Sequence, residues 1–292
     1  MEQSTAHRSH EIRGLALAIT SVLCFATTSI LLSYANTVHG VDSWVASAYR
    51  GLVGLIVILT MQGSTGKLQI HHILTNRLLF IRGLLGGATI PAYYICIMEL
   101  GPGRAGLIGG SYPLFAAIFA MILIKEGLNR SYFVYIGLAM LGLVGIFAEA
   151  ALDGGKPLFD LLSIGTAAAG GLCVVMIRHL RHSESTTNIF AAQCVFTVII
   201  AVFMAGDRIL NLEPLAFGFC VLAAITVVGG QLSITESFRY INVARGSTLQ
   251  MLTPALTVTL SAALLGEQFA LLELVGGVAI LYASYRIVVC KI

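Results

Sequence analysis

Long apolar blocks separated by short polar connections run along almost the whole chain. Each block is about 17 to 25 residues long, which matches the helix length needed to cross roughly 30 Å of hydrocarbon. The pattern therefore predicts an all-α integral membrane protein with ten transmembrane helices. The predicted spans are Gly14–Tyr34, Ser43–Met61, Leu78–Met98, Pro102–Ile124, Ser131–Ala148, Leu158–Ile177, Ile189–Ala205, Leu215–Phe238, Val243–Leu265 and Leu271–Val289.

The composition agrees with a bilayer as the main solvent. Of the 292 residues, 57% are hydrophobic and 11% are charged, whereas a soluble domain carries about a quarter charged residues. The basic residues lie between apolar blocks without interleaved aromatics, which argues against a nucleic-acid partner. The six cysteines show no disulfide or metal-ligand spacing, so we interpret them as packing residues and predict no metal site.

Positive charges are distributed unevenly between the two predicted membrane faces. Thirteen Lys and Arg residues fall on the side of the N-terminus, three fall on the other side, and Arg50 lies within a span. Because cytoplasmic loops keep positive charges, we expect both termini in the cytoplasm of a bacterial inner membrane. The thirteen are Arg8, Arg13, Lys67, Arg77, Arg82, Lys125, Arg130, Arg178, Arg181, Arg239, Arg245, Arg286 and Lys291, and the three are Arg104, Lys156 and Arg208.

Two segments of the chain are similar, and matching residues in them are always 141 positions apart. The matched pairs are Arg104 with Arg245, Pro113 with Pro254, Leu123 with Leu264, and Glu126 with Glu267. A tandem copy with an odd number of spans enters the membrane the opposite way round, so two five-helix repeats form an inverted pair. We predict repeats at residues 1–149 and 157–292; chance identity between apolar helices is the alternative.

Pro113 and Pro254 each lie about a dozen residues into a span, near the bilayer midplane. Proline lacks an N–H and displaces the carbonyl four residues earlier, so the carbonyls of Gly109 and Gln250 lose their helical partners. Such carbonyls are tolerated where neighbours or a water-filled cavity satisfy them. We therefore expect two kinked gating helices that line a central cavity, although kinks that only serve packing stay an alternative.

Three charged residues are candidates for transport chemistry. Arg50, about 10 Å into the second span by helical rise, is predicted to contact an anion or carboxylate, with an interfacial anchor as the alternative. The corresponding position of the second half, near Gln193, lacks the charge. Glu99 and Glu236 end the third and eighth spans and are candidate proton couplers, although interfacial carboxylates often only cap helices or pair with basic groups.

Polar and aromatic side chains at comparable depths in both halves predict a pocket for a small organic solute. Individually, each of them is also compatible with a packing or interface role. The predicted substrate-binding set comprises Arg50, Tyr93, Tyr94, Gly109, Ser111, Tyr112, Gln231, Gln250 and Thr253.

Three segments resemble the drug/metabolite transporter superfamily, specifically its ten-helix EamA-type members. They read AYRGLVGL, GPGRAGLIGGSYPLFAAIFAMILIKE and FRYINVARGSTLQMLTPALTVTLSAALLGE. The resemblance implies a secondary carrier of small metabolites, often amino acids or related compounds, with a central cavity between the repeats. It also implies that Arg50, Pro113, Glu126, Pro254 and Glu267 occupy recurring family positions.

We therefore expect a secondary active exporter of small organic metabolites that works by alternating access, without catalytic residues or a cofactor. The expected partners are a small-molecule substrate and the lipid bilayer, and a homodimer is left open. The alternatives are an integral membrane enzyme and a non-transporting scaffold. An enzyme would need clustered His, Asp or Glu at an interface, and a scaffold would not need an inverted repeat.

Overall fold

The computed structural model describes residues 2–62, 70–124, 130–152, 155–180, 183–237, 240–241, 246 and 249–289, and within these ranges the secondary structure is helical. A 3₁₀ turn, Gly206–Ile209, follows the ninth helix. The α-helices are α1 (Glu2–His39), α2 (Ser43–Gln62), α3 (Ile70–Thr75), α4 (Arg77–Leu100), α5 (Pro102–Gly109), α6 (Tyr112–Ile124), α7 (Arg130–Leu152), α8 (Pro157–Leu180), α9 (Thr186–Ala205), α10 (Pro214–Ser237), α11 (Leu252–Leu265) and α12 (Leu271–Val289).

The helices confirm the predicted all-α membrane fold. Within the described residues, seven stretches are long and apolar enough to cross a membrane, and α7, α11 and α12 lie at the positions of the other three predicted spans. Helices α5 and α6 together form the fourth predicted span. The start of the ninth span, with Arg245, and the repeat residue Glu126 lie outside the described residues.

Two helical segments differ from the prediction. Helix α1 runs from Glu2 to His39, beyond both predicted ends, because hydropathy marks only the apolar part of a helix that continues through polar residues. Helix α3 was not predicted, since its six residues carry no long apolar block. Next to it, Asn76 begins α4 as an N-cap, and its Oδ1 accepts hydrogen bonds from the N–H groups of Leu78 and Leu79 at 3.1 and 3.2 Å.

The packing of the helices is symmetric when the two repeats are exchanged. Helices α1 and α8 are repeat equivalents, as are α4 and α10. Helix α1 packs on α10, and correspondingly α8 packs on α4. Three further pairs join repeat equivalents directly: α2 with α9, α7 with α12, and α5 with α11. This is the pattern that a pseudo-two-fold axis in the membrane plane produces.

Polar contacts between helix ends agree with successive helices that cross the membrane in alternating directions. The start of α8 meets the end of α4, where Lys156 Nζ lies 2.6 Å from Glu99 Oε2. At the opposite end of the bundle, which holds the start of α1, Asn76 Nδ2 donates to Glu184 Oε1 at 2.9 Å. We name these ends the predicted outer face and the predicted cytoplasmic face. Further pairs at the predicted outer face are Arg208 with Asp42 and His39 with Glu213.

Close helix packing depends on glycine where α7 crosses α12. A Cβ atom on Gly142 would lie 2.6 Å from the carbonyl oxygen of Gly276, and a Cβ on Gly276 would lie 2.6 Å from that of Gly142. Small residues allow such approach in lipid, where the hydrophobic effect does not drive helices together.

Helix α4 is central in the bundle, since it packs against α1, α2, α5, α8 and α9. Its Ile90, Tyr94 and Ile97 join a buried cluster with residues of α1, α2, α5 and α10, whereas Leu79 joins a second cluster with residues of α9. Any polar side chain on the inner surface of α4 is therefore surrounded by helices of both halves.

Candidate functional site

The fourth and ninth spans, which carry the repeat-matched prolines, are interrupted at equivalent positions, whereas α4 continues through Pro91. Gly110 and Ser111 form a turn between α5 and α6, and Met251 forms a turn before α11. Gly110 and Met251 are separated by the repeat offset, and each precedes its proline by three residues. The predicted kinks are thus breaks, as expected where proline removes a donor and crowds the preceding turn.

The two breaks lie against each other. A Cβ on Gly110 would lie 3.2 Å from Pro254 Cγ, and one on Gly106 would lie 3.8 Å from Pro254 Cα. The carbonyl of Gly110 accepts a hydrogen bond of 3.1 Å from Ser284 Oγ on α12. A carbonyl freed by the break is therefore satisfied by a neighbouring helix, as a membrane interior requires.

Arg50 contacts α4 through Tyr94. Arg50 Nη1 donates to the Tyr94 hydroxyl at 3.4 Å, and Arg50 Cζ lies 5.7 Å from the centre of the Tyr94 ring. Such a separation permits a cation–π interaction. Tyr94 itself is 2% exposed, so these two members of the predicted pocket lie together in the interior, while an anion contact by Arg50 stays a prediction.

Other predicted pocket residues of the first half flank the break. The ring of Tyr93 lies against Gly109, where a Cβ would be 3.3 Å from Tyr93 Cε2. Ser111 is fully buried, and its Oγ donates to the carbonyl of Ile108 at 2.6 Å. Tyr112 begins α6 and faces α8, where a Cβ on Gly170 would lie 3.9 Å from Tyr112 Cβ.

The second-half residues are more dispersed. Gln250 Nε2 donates to the carbonyl of Ala18 on α1 at 3.4 Å. The Thr253 hydroxyl oxygen is buried without a hydrogen-bond partner among the described residues. Gln231 is half-buried on α10. The substrate-binding role predicted for these residues stays a prediction.

The two candidate proton couplers are the twenty-third residues of the two equivalent 24-residue helices α4 and α10. Glu99 pairs with Lys156, and these side chains are 40% and 55% exposed. Glu236 is half-buried, and its Oε1 accepts a hydrogen bond from the Tyr240 hydroxyl at 3.5 Å. Their coupling role stays a prediction.

Sequence reasoning missed a buried ionic network at the predicted outer face. Arg104 Nε and Nη2 donate to the Asp160 carboxylate at 2.8 and 3.1 Å, and Arg104 Nη1 donates to Glu273. Arg104 Nη2 also donates to the carbonyl of Ile146 at 2.9 Å. Asp160 is fully buried and Glu273 is 6% exposed. The network ties the start of α5 to the starts of α8 and α12 and to α7.

Glu267, a residue of the repeat, caps α5 at the same face. Its carboxylate accepts hydrogen bonds from the backbone N–H groups of Gly103 at 3.1 Å and Arg104 at 3.3 Å. A carboxylate at a helix N-terminus satisfies free N–H groups and interacts favourably with the helix dipole. The end of the ninth span is thereby joined to the start of the fourth.

Arg82 was counted among the basic residues of the cytoplasmic side, but the structure places it inside the bundle. It lies on α4 with only 5% exposure, and its Nη2 donates to Gln193 Oε1 on α9 at 3.0 Å. The structure thus places a cation beside Gln193, the position where the second half lacks a counterpart of Arg50. The signal in the sequence was an arginine inside the apolar run LLFIRGLLGG.

Comparison with known families agrees with this architecture. Residues 12–148 and 158–289 each match the EamA-like transporter family. The chain belongs to this family. It is thus a multi-pass membrane protein of a transporter family with two copies of the EamA-like unit, although the repeat boundaries at 1–149 and 157–292 stay predictions.

Several relatives of this EamA-like protein are named transporters. It is 25% identical to mouse solute carrier family 35 member G1 over 240 residues, covering 77% of this chain but 64% of the mouse protein. It is 19% identical to the pseudopaline exporter CntI of Pseudomonas aeruginosa over 78% of each chain. It is also 20% identical to the uncharacterized transporter YyaM of Bacillus subtilis over 78% of this chain and 77% of that protein.

A crystal structure shares the fold of this EamA-like protein. The two chains superpose with a TM-score of 0.59 over 97% of this chain and 98% of the other, at 17% sequence identity. The arrangement of the helices is therefore one that a solved structure also adopts.

Proposed function

We propose that the chain is a secondary active exporter of small organic metabolites, such as amino acids or related compounds, that works by alternating access. The proposal places it in a bacterial inner membrane with both termini in the cytoplasm. It acts without catalytic residues and without a cofactor.

The observation that carries the proposal is the contact between the two matched helix breaks. Repeat-equivalent spans are interrupted at Gly110 and Met251, and Gly110 lies against Pro254 of the other half. Each break divides its span into segments that can change their relative angle without unfolding the rest of the helix. In an inverted repeat, exchanging the conformations of the two halves moves the opening from one face to the other.

The predicted direction of transport is outward. CntI is named as an exporter, and its match to this chain extends over most of both proteins. The charge distribution supports cytoplasmic termini because, without the buried Arg82, twelve basic residues remain on the predicted cytoplasmic side against three on the other.

Counterflow in proteoliposomes tests the proposal. Proteoliposomes that contain the purified protein are loaded with one solute at a time from a panel of amino acids, their derivatives and small nucleoside-like metabolites. Uptake of the labelled solute is measured with and without an imposed pH gradient. We expect saturable exchange of one solute class, stimulated by the gradient. Protein-free liposomes supply the background rate. Exchange at that background across the whole panel, with correctly folded protein, would contradict transport and favour a scaffold.

A further inference from the structure

The most unusual charge in the interior belongs to Arg82. Its side chain makes one hydrogen bond, from Nη2 to Gln193, while Nε and Nη1 are buried without a partner among the described residues. Arginine stays protonated in proteins, and a buried unpaired charge is energetically costly. The guanidinium therefore retains unused donors at a place where unused donors are normally avoided.

Carboxylates of the described residues do not neutralise Arg82. Among these residues, no Asp or Glu lies within ion-pair distance of it. The buried carboxylates at the predicted outer face are bound by Arg104. The long side chain also does not extend into solvent, since Arg82 is only 5% exposed.

Neighbouring residues fix the position of the guanidinium. A Cβ on Gly86 would lie 2.1 Å from Arg82 Nη1 and 3.4 Å from Gln193 Cδ. The guanidinium therefore occupies space that only glycine leaves free, one turn further along α4. Gln193 holds it from α9, a helix of the other half.

We propose that Arg82 binds an anionic oxygen group, a carboxylate or phosphate, of the transported solute, with Gln193 as a positioning residue. The proposal rests on the proposed transport function and adds the charge class of the substrate. Guanidinium is well suited to this task because its planar fork matches carboxylate and phosphate oxygens.

A second, half-buried cation is Arg50 of α2, which lies beside a later part of α4. Arg50 contacts Tyr94, which is twelve residues beyond Arg82 and therefore about 18 Å away along α4 by helical rise. Arg82 therefore lies nearer the predicted cytoplasmic face and the Arg50–Tyr94 contact nearer the predicted outer face. An interior with two cations and no neighbouring carboxylate among the described residues favours passage of an anionic solute.

Thermal unfolding of the purified full chain in detergent tests the anion site. The probes are inorganic phosphate and succinate, compared with succinamide, the uncharged diamide of succinate, and with sodium chloride at matched ionic strength. A ligand at concentration L that binds only the folded state stabilises it by RT ln(1 + L/Kd), so the melting temperature rises with the logarithm of ligand concentration above Kd. We expect such a rise with phosphate or succinate, from which Kd is fitted, and the responding probe distinguishes a phosphate from a carboxylate ligand.

Variants separate a binding role from a structural one. Arg82→Gln is expected to raise the Kd fitted from this rise roughly tenfold to hundredfold, and the Kd of Arg82→Lys is expected to fall between those of the wild type and Arg82→Gln. Arg77→Gln, at an exposed residue of the same helix, is the control and keeps the wild-type Kd. If Arg82→Gln does not fold, Gly86→Ala displaces the guanidinium while retaining its charge and is expected to weaken anion binding similarly.

An unchanged Kd in the folded Arg82 and Gly86 variants, or no rise in melting temperature with either anion in the wild type, would overturn the site. Counterflow separates this result from failure of the proposed function. Anion binding without exchange of the bound probe would contradict transport and leave the site intact. Exchange of a neutral solute at equal rates in wild type and Arg82→Gln would contradict the anionic substrate and leave transport intact.

Discussion

Replacing Asp160 by asparagine perturbs the buried network at the predicted outer face. Asp160 is fully buried and accepts two hydrogen bonds from Arg104, at 2.8 and 3.1 Å. Asparagine removes the negative charge, and Arg104 then retains Glu273 and the carbonyl of Ile146. Breaking a buried ion pair costs about 3 to 5 kcal/mol, and because two partners remain, we expect a loss of roughly 3 kcal/mol in the free energy of unfolding.

The exposed pair between Lys156 and Glu99 supplies a matched control at the same face. Its side chains are 55% and 40% exposed, so Lys156→Met is expected to cost less than about 1 kcal/mol. Both variants are compared by equilibrium unfolding in mixed micelles. In a double-mutant cycle with Arg104→Gln, Asp160→Asn should show strong coupling. Equal losses for Asp160→Asn and Lys156→Met, or additive effects in the cycle, would refute the reasoning.

Three further predictions concern single positions. Arg50→Gln is expected to reduce counterflow of anionic or zwitterionic solutes severalfold, and unchanged rates at normal expression would exclude that role. Gly142→Ala places a Cβ 2.6 Å from the Gly276 carbonyl oxygen and should lower the free energy of unfolding by about 1 to 3 kcal/mol. Gly137 has open space around it, so Gly137→Ala should show no such loss in the same unfolding assay. Glu267→Ala removes the cap of α5 and is expected to cost about 1 kcal/mol; stability equal to wild type would show that the cap is dispensable.

The helix bundle could be predicted from the sequence because a helix that crosses a bilayer needs a minimum length and an apolar surface. The paired prolines and the repeat offset also indicated where the fourth and ninth spans depart from regular helix. Hydropathy does not detect helix ends in polar segments, so the extension of α1 to Glu2 and the short helix α3 were missed. The turn at Gly110 interrupts the helix more fully than the predicted kink.

The ionic network was beyond sequence reasoning because its members are distant in the chain. Arg104 lies 56 residues from Asp160 and 169 from Glu273, and an acidic residue near the start of a helix is ordinary in its local context. Arg82 was counted with the basic residues of the cytoplasmic side, although it lies inside the predicted third span. Its burial depends on α9, whose distance from α4 the sequence does not reveal.

Alternating access at the matched helix breaks is the central claim, and cysteine accessibility tests it most directly. Cysteine is introduced at Gly109 or Gln250 in a chain whose native cysteines are replaced, and a membrane-impermeant thiol reagent is added from either face. Phe203, 85% exposed on α9, provides a control cysteine that faces the lipid. The account predicts labelling of both test positions from both faces, with the ratio changed by a counterflow substrate. Labelling from one face only, with or without substrate, would contradict it.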